Sequence, residues 1–316
     1  MLLWTLFIGT VLLFLALDLG VFHKNAEIIS NKNAAKWTLI WVSVSLCFSG
    51  IIYLLYQSDA VNNPENYSPL EASLKYITGY IVELSLSADN IFVIAVIFSS
   101  FKIAQKHQHR ILFWGIIGAI VFRGILIFFG TLLVHQFEWI SYIFGAFLVF
   151  TALKMLFKKD EESFDPKHST VYKLIGKFIP ITHATNQNQF FILEQGKRLA
   201  TPLFIALLVI EVMDVVFALD SVPAILSITA DPFLVFSSNI FAILGLRSLY
   251  FFLANMLNKF AYLEYSIIAI LSFIGLKMLC KEFIPIAEWL SLLIIVLSLS
   301  AGIVTSIYQA KSNDTP

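Results

Sequence analysis

The sequence predicts an all-α polytopic membrane protein of about nine transmembrane helices, with two inverted three-helix repeats among them. Three observations predict this class. Hydrophobic residues make up 59% of the chain and charged residues only 13%; the apolar residues fall in runs of spanning length; and one polar motif occurs twice. Soluble domains average about 45–50% apolar and about 25% charged residues, so this composition fits a chain whose surface faces lipid. A bilayer core of roughly 30 Å is crossed by about 20 residues of helix.

Runs of that kind lie at 2–22, 37–57, 76–100, 111–134, 139–157, 201–228, 235–257, 264–282 and 286–308. The first has no basic segment before it and contains Asp18, which reads as a retained helix, not a cleaved signal peptide. Asp18 itself is open between a helix-packing hydrogen bonder, an entrance ligand and a proton relay. Residues 1–75 hold two flanking spans and a loop, 76–157 the first three-helix unit and 158–200 a cytoplasmic connector. The second, inverted unit occupies 201–282, and 283–316 add a last span and a cytoplasmic tail. The connector has mixed charge, Pro166, Pro180 and a TNQNQ run; a short amphipathic helix over Val171 to Phe178 and a partly ordered linker both fit it.

Lysine and arginine alternate between connections. Lys24, Lys32 and Lys36 follow the first span, Lys102, Lys106 and Arg110 the third, seven basic residues from Lys158 to Arg198 the fifth, and Lys259 the seventh. Basic residues favour the cytoplasmic side, which puts the N-terminus outside and the C-terminus inside. Trp37, Trp139 and Trp289 stand at span ends as interfacial anchors, and Lys154 and Lys277 are placed to snorkel to opposite interfaces. Net charge is zero, so a nucleic-acid partner has no electrostatic support. Cys47 and Cys280 form no CxxC pattern and read as unpaired thiols.

The internal repeat carries the functional reading. Glu83 is followed six residues later by Asp89 and then Asn90; Asp214 is followed six residues later by Asp220 and then Ser221. GAIVFR ending at Arg123 parallels AILGLR ending at Arg247, and AFLVFTALKML with Lys154 parallels AILSFIGLKML with Lys277. Each unit has three spans and the connector does not cross, so the second unit enters from the opposite side. Transporters built this way place their sites near the midplane, where the symmetry-related helices meet.

Carboxylates inside an apolar helix are costly, about 2.5–3.5 kcal/mol each on insertion scales, and mark ion or proton pathways. On a regular helix Glu83, Ser87 and Asn90 share a face, as do Glu211, Asp214 and Ser221, while Asp89 and Asp220 are rotated off it. Pro223 supplies a reason for a helix break beside Asp220. The candidate metal ligands are therefore Glu83, Asp89, Asn90, Glu211, Asp214, Asp220 and Ser221. No histidine lies well inside a span, and oxygen donors without imidazole or thiolate suit Mg²⁺, Ca²⁺ or Mn²⁺. Met213 is the one soft atom nearby, open between packing and ligation. Arg123 and Arg247 are open between neutralising some of the acids and making a wholly structural ion-pair network. Phosphate loops, HExxH and Gly-x-Ser-x-Gly are all absent, so neither ATP-driven pumping nor an enzyme is expected. No permanently bound cofactor is expected either.

The segments VELSLSADN (Val82 to Asn90) and EVMDVVFALDSVPA (Glu211 to Ala224) resemble the TerC family of bacterial integral membrane proteins, in particular its Alx branch. DPFLVFSSNIFAILGLRSLYF (Asp231 to Phe251) and FILEQGKRLATPL (Phe191 to Leu203) extend the likeness. The resemblance implies an inner-membrane protein linked by name to tellurium resistance, with manganese export as its activity and the acidic motifs as its site. The choice of Mn²⁺ as substrate comes from this resemblance; the residues alone reach a hard divalent cation, with protons as a possible counter-ion. The alternative is a membrane scaffold or stress-resistance partner whose acidic helices form a charge-paired core.

Overall fold

In the computed structural model the described residues are 2–20, 31–137, 139–157, 180, 182, 189–194, 197–254, 262–280, 283 and 286–313. Among them nine helices fall on the nine expected spans: α1 (Leu2–Gly20), α2 (Asn31–Gln57), α3 (Pro69–Ser100), α4 (Gln105–Gln136), α5 (Ile140–Leu156), α6 (Pro202–Leu226), α7 (Pro232–Ala254), α8 (Leu263–Leu279) and α9 (Glu288–Asn313). Six of these, α2, α3, α4, α6, α7 and α9, have the length and apolar composition to cross a membrane. The helices α5 and α8 have 17 residues each, at the short end of the spanning range. The amphipathic helix expected over Val171 to Phe178 lies outside the described residues.

Two helices begin earlier than hydropathy suggests. Helix α3 starts at Pro69 because Ser68 caps it, its side chain accepting from the Glu71 N–H at 3.3 Å, with proline in the first turn where no N–H is needed. Helix α4 starts at Gln105, since a polar turn can stay helical once it has a protein surface to lie on. Gln108 is buried there, donating to the Ile103 carbonyl and accepting from the Tyr250 hydroxyl at 3.1 Å. Between α3 and α4 the Ile103 N–H reaches the Phe98 carbonyl at 2.8 Å and the Lys102 N–H reaches Ser99 at 3.0 Å. That double bond pattern closes a helix with its next residue left-handed, and Lys102 takes it at φ 53°.

Helix α6 is continuous through Pro223, so the expected break beside Asp220 does not occur. Proline there removes one N–H from the last turn, and the helix ends three residues later with Ser227 bonded back to the Pro223 carbonyl at 3.0 Å. A proline this close to the C-terminus disturbs only one rung of the ladder.

Packing is reciprocal between the two three-helix segments: α3 lies chiefly on α7, α4 on α6, and α5 on α8. The first helix of each segment meets the second helix of the other, and third meets third. Helices α3 and α7 are the most enclosed, and α7 is buried all round, its Ser237, Ser238, Asn239 and Arg247 included. Around them α2 covers α3 and α7, and α9 covers α8 and α3. Exposed Leu39, Leu54, Phe128, Phe129, Phe150, Leu297 and Val304 form the lipid-facing belt. Where α5 and α8 cross, a Cβ on Gly275 would stand 2.9 Å from the Gly145 carbonyl, and one on Gly145 3.1 Å from the Gly275 carbonyl. Only glycine permits that approach.

One element was not expected. Strands β1 (Phe191–Glu194) and β2 (Lys197–Ala200) pair antiparallel just before α6, with Phe191 opposite Ala200 and Leu193 opposite Arg198.

Candidate functional site

The centre of the bundle is built from α3, α4 and α6. Helix α3 places Glu83 with no solvent exposure, and Ser87, one turn on, donates to its Oε1 at 3.1 Å. Helix α4 sends the equally buried Arg123 between α3 and α6. The guanidinium pairs with Glu83 through one terminal nitrogen and with Asp214 Oδ1 through the other, at 3.0 Å. The repeat-equivalent carboxylates Glu83 and Asp214 thus share a single cation.

Glu211, one turn before Asp214 on α6, lies against Gly118 of α4, where any Cβ would collide with its carboxylate. Glu83 and Asp214 thus share one guanidinium, and Glu211 adds a third carboxylate one turn away, beside Asp214. Glu83 Oε2, Asp214 Oδ2, Glu211 Oε2, Arg123 Nε and Ser221 Oγ are buried without a hydrogen-bond partner among the described residues. Unsatisfied polar atoms of this kind cost free energy unless something else meets them.

The helical-face expectation holds where side chains are described. Glu211 and Asp214 point to α4, whereas Asp220 turns to α5, accepting from Thr151 Oγ1 at 3.0 Å with Lys154 as its neighbouring positive charge. Asn90 and Ser221 are buried on α3 and α6, Arg247 is buried on α7, and Met213 packs partly buried against apolar neighbours. Asp18 and Asp89 belong to α1 and α3, but their side chains lie outside the described residues. Among the described residues, no group of three or more His, Cys, Asp or Glu side chains is arranged as a metal cluster. Gly118 and Thr151 escaped sequence reasoning: a glycine or threonine in an apolar helix gains meaning only from the neighbour it faces.

A second polar cluster ties the helix ends at one membrane edge. Lys75 of α3, buried, donates to the Ile228 carbonyl at 2.8 Å and to Glu288 of α9 at 2.9 Å, and stands 4.7 Å over the Tyr67 ring. At this edge Lys277 pairs with the same Glu288 at 3.3 Å and donates to Ser291 at 2.8 Å. Nearby, Asp231 caps α7 by accepting from the Phe233 and Leu234 N–H groups and takes the Tyr56 hydroxyl at 2.8 Å. Burial pushes the Asp231 carboxyl above its ordinary range, against the opposing pull of those hydrogen bonds. Lys75, Glu288, Asp231 and Tyr56 were likewise not singled out in the sequence, because each sits at a span edge where polar residues are ordinary.

An apolar helical bundle enclosing two carboxylates on one guanidinium, with a third acid beside them, is an integral membrane protein with a charged interior. The chain belongs to the TerC family: the family described as "Integral membrane protein TerC family" matches residues 68–314. It is similar to an "Uncharacterized membrane protein" of Myxococcus xanthus, 43% identical over 313 residues that cover 99% of this chain and 94% of that one. An "Uncharacterized membrane protein" of Rickettsia bellii is 41% identical over 98% of this chain and 99% of its own length. The "Putative membrane-bound redox modulator Alx" of Escherichia coli K12 is 43% identical over 90% of this chain and 88% of that protein. No solved structure matches the chain.

Proposed function

We propose that this chain is a secondary transporter, not an enzyme, and that it exports a hard divalent cation, Mn²⁺ as its substrate, across the inner membrane. The observation that carries the reading is the charge count at the centre. Glu83, Glu211 and Asp214 supply three negative charges when ionised and Arg123 one positive, an excess of two, with an unpartnered oxygen on each carboxylate. Arg123 is a tethered cation in the place a mobile one would take, so loading requires its guanidinium to leave Asp214 or Glu83. Asn90, Asp220 and Ser221 lie further along the same helices, with Asp89 at the matching position of the repeat, and serve as the next oxygen donors on the path.

The two three-helix units are inverted repeats in this reading, with the N-terminus outside and the C-terminus in the cytoplasm. A membrane potential negative inside opposes cation export by about 2.3 kcal/mol per charge per 100 mV, and twice that for a divalent ion. Export therefore runs on a steep Mn²⁺ gradient or on entering protons, and the surplus carboxylates are the groups that would hold those protons.

The test is flux in reconstituted vesicles with Mn²⁺, Mg²⁺, Ca²⁺ and Zn²⁺ side by side, for the native chain and for Asp214→Asn and Asp220→Asn. Mn²⁺ flux lost in both variants is expected; flux retained in both sinks the site. The bridging of Glu83 and Asp214 by Arg123 favours a second reading, a scaffold with a structural charge network. Deleting residues 160–190 separates the two, since a scaffold that recruits partners through the connector loses function and a transporter keeps its flux.

A further inference from the structure

The β1–β2 hairpin is the one folded part of the connector among the described residues, and the cation pathway makes no use of it. Its register fixes its faces. Residues two apart on a strand, and those directly opposite across the pair, lie on one side, so Phe191, Leu193, Arg198 and Ala200 share a face. Ala200 is buried, Phe191 is 43% and Leu193 74% exposed, and Arg198 is exposed. Two bare apolar side chains beside a guanidinium are a poor surface to leave in water.

Two helices set the level of the hairpin. A core of roughly 30 Å leaves about 15 Å, or about ten residues of helix, on each side of the midplane. Counting back ten from the central Asp214 on α6 reaches Phe204, and Phe191 packs against that ring at a tilt of 47° with centroids 4.4 Å apart. Counting back from Arg123 on α4 reaches Phe113; Arg110 lies three residues further out and stands 4.7 Å over the ring of Phe190, the residue before β1. Both helices put the hairpin where acyl chains give way to phosphates. The chain then enters α6 directly, with Thr201 capping the junction by donating to the Gln189 carbonyl at 2.7 Å.

We propose that the exposed Phe191–Leu193–Arg198 face of the hairpin is a lipid-binding surface, its two apolar side chains inserted at the acyl boundary and its guanidinium on the phosphate of an anionic phospholipid. The chemistry is that of interfacial anchors, apolar groups below and a basic group at headgroup level. Guanidinium suits this role better than ammonium because its planar donors match two phosphate oxygens. The occupant is the bilayer because the ring contacts to Phe204 and Arg110 hold this face at the acyl–phosphate boundary, where Leu193 is 74% exposed. Anchored there, the hairpin holds the entry of α6 at a fixed depth and so bears on the level of Glu211 and Asp214.

The test uses the full-length chain in vesicles of phosphatidylcholine and phosphatidylglycerol. On a Cys47→Ser, Cys280→Ser background, Leu193→Cys is labelled with an environment-sensitive fluorophore and challenged with spin-labelled lipids or with aqueous iodide. Quenching by the lipids and protection from iodide are expected. The phosphatidylglycerol-borne quencher should exceed the phosphatidylcholine-borne one by up to about fivefold, from one basic contact near an anionic surface. Arg198→Glu should remove that preference while circular dichroism stays unchanged. Full iodide quenching with no lipid quenching overturns the proposal, and equal quenching by the two lipids in the Arg198 protein overturns the phosphate contact.

Discussion

The two buried polar clusters use the same side chains to opposite ends. At the membrane edge, Lys75, Lys277 and Glu288 leave no acid in excess, and the Asp231 carboxylate is filled by two backbone N–H groups and a tyrosine. At the centre, Glu83, Glu211 and Asp214 outnumber Arg123, and an oxygen of each is left over. The difference teaches how to separate a structural polar network from one with spare capacity: burial and ion pairing are common to both, and the surplus of acceptors belongs to one. A complete network is finished when the protein folds; the central one is not.

The sharpest way to break the comparison is to remove the cation that bridges Glu83 and Asp214. Arg123→Met leaves the Glu83 and Asp214 carboxylates without their shared partner and should destabilise the protein by about 3–5 kcal/mol, the usual result of orphaning a buried charge. Thermal unfolding in detergent measures it, and adding Glu83→Gln and Asp214→Asn should restore most of the loss. Gly118→Ala comes next. Its methyl drives into the Glu211 carboxylate, at a cost of about 1–3 kcal/mol for overpacking, and Gly118→Ala with Glu211→Ala should be more stable than the sum of the two single changes implies.

At the edge cluster, Glu288→Gln leaves Lys75 and Lys277 without their shared charge and should cost about 1–3 kcal/mol. If the chain carries Mn²⁺ as proposed, stability should fall here with the flux unchanged, the reverse of what Asp214→Asn should do in the flux assay. The smallest effect concerns pH. The native Asp231 carboxyl titrates above its unfolded value, so the folded state binds more protons in that window, and its contribution to stability declines as pH rises from the ordinary carboxyl range through the raised value. Asp231→Asn can still cap α7 and should flatten that part of the melting-temperature profile between acid and neutral pH.

The sequence made the helices legible because lipid leaves the backbone no other way to satisfy itself, so apolar runs and helices coincide. The early starts of α3 and α4 were not legible, since past the membrane a helix is stopped by caps and contacts and not by polarity. Glu83, Asp214 and Arg123 were legible through their cost and their repetition. Their meeting on one guanidinium was not, because the helical period gives a side chain's direction but not the neighbour it reaches. The separation of Asp220 from Asp214 followed from that same period, whereas Thr151 as its partner did not. The hairpin was hidden for another reason: strands of four residues in FILEQGKRLA carry too short a pattern to stand out beside spanning helices.

The crossing of α5 and α8 at Gly145 and Gly275 has a mechanical meaning. Main chain rests on main chain there, with no side chain as a cushion, and the carbonyl of each glycine is almost within touch of the other's α-carbon. A contact of that kind cannot be compressed, and sliding along either axis would bring Val149 or Met278 into the gap. A methyl group on either glycine would act as a shim that pries the two helices apart.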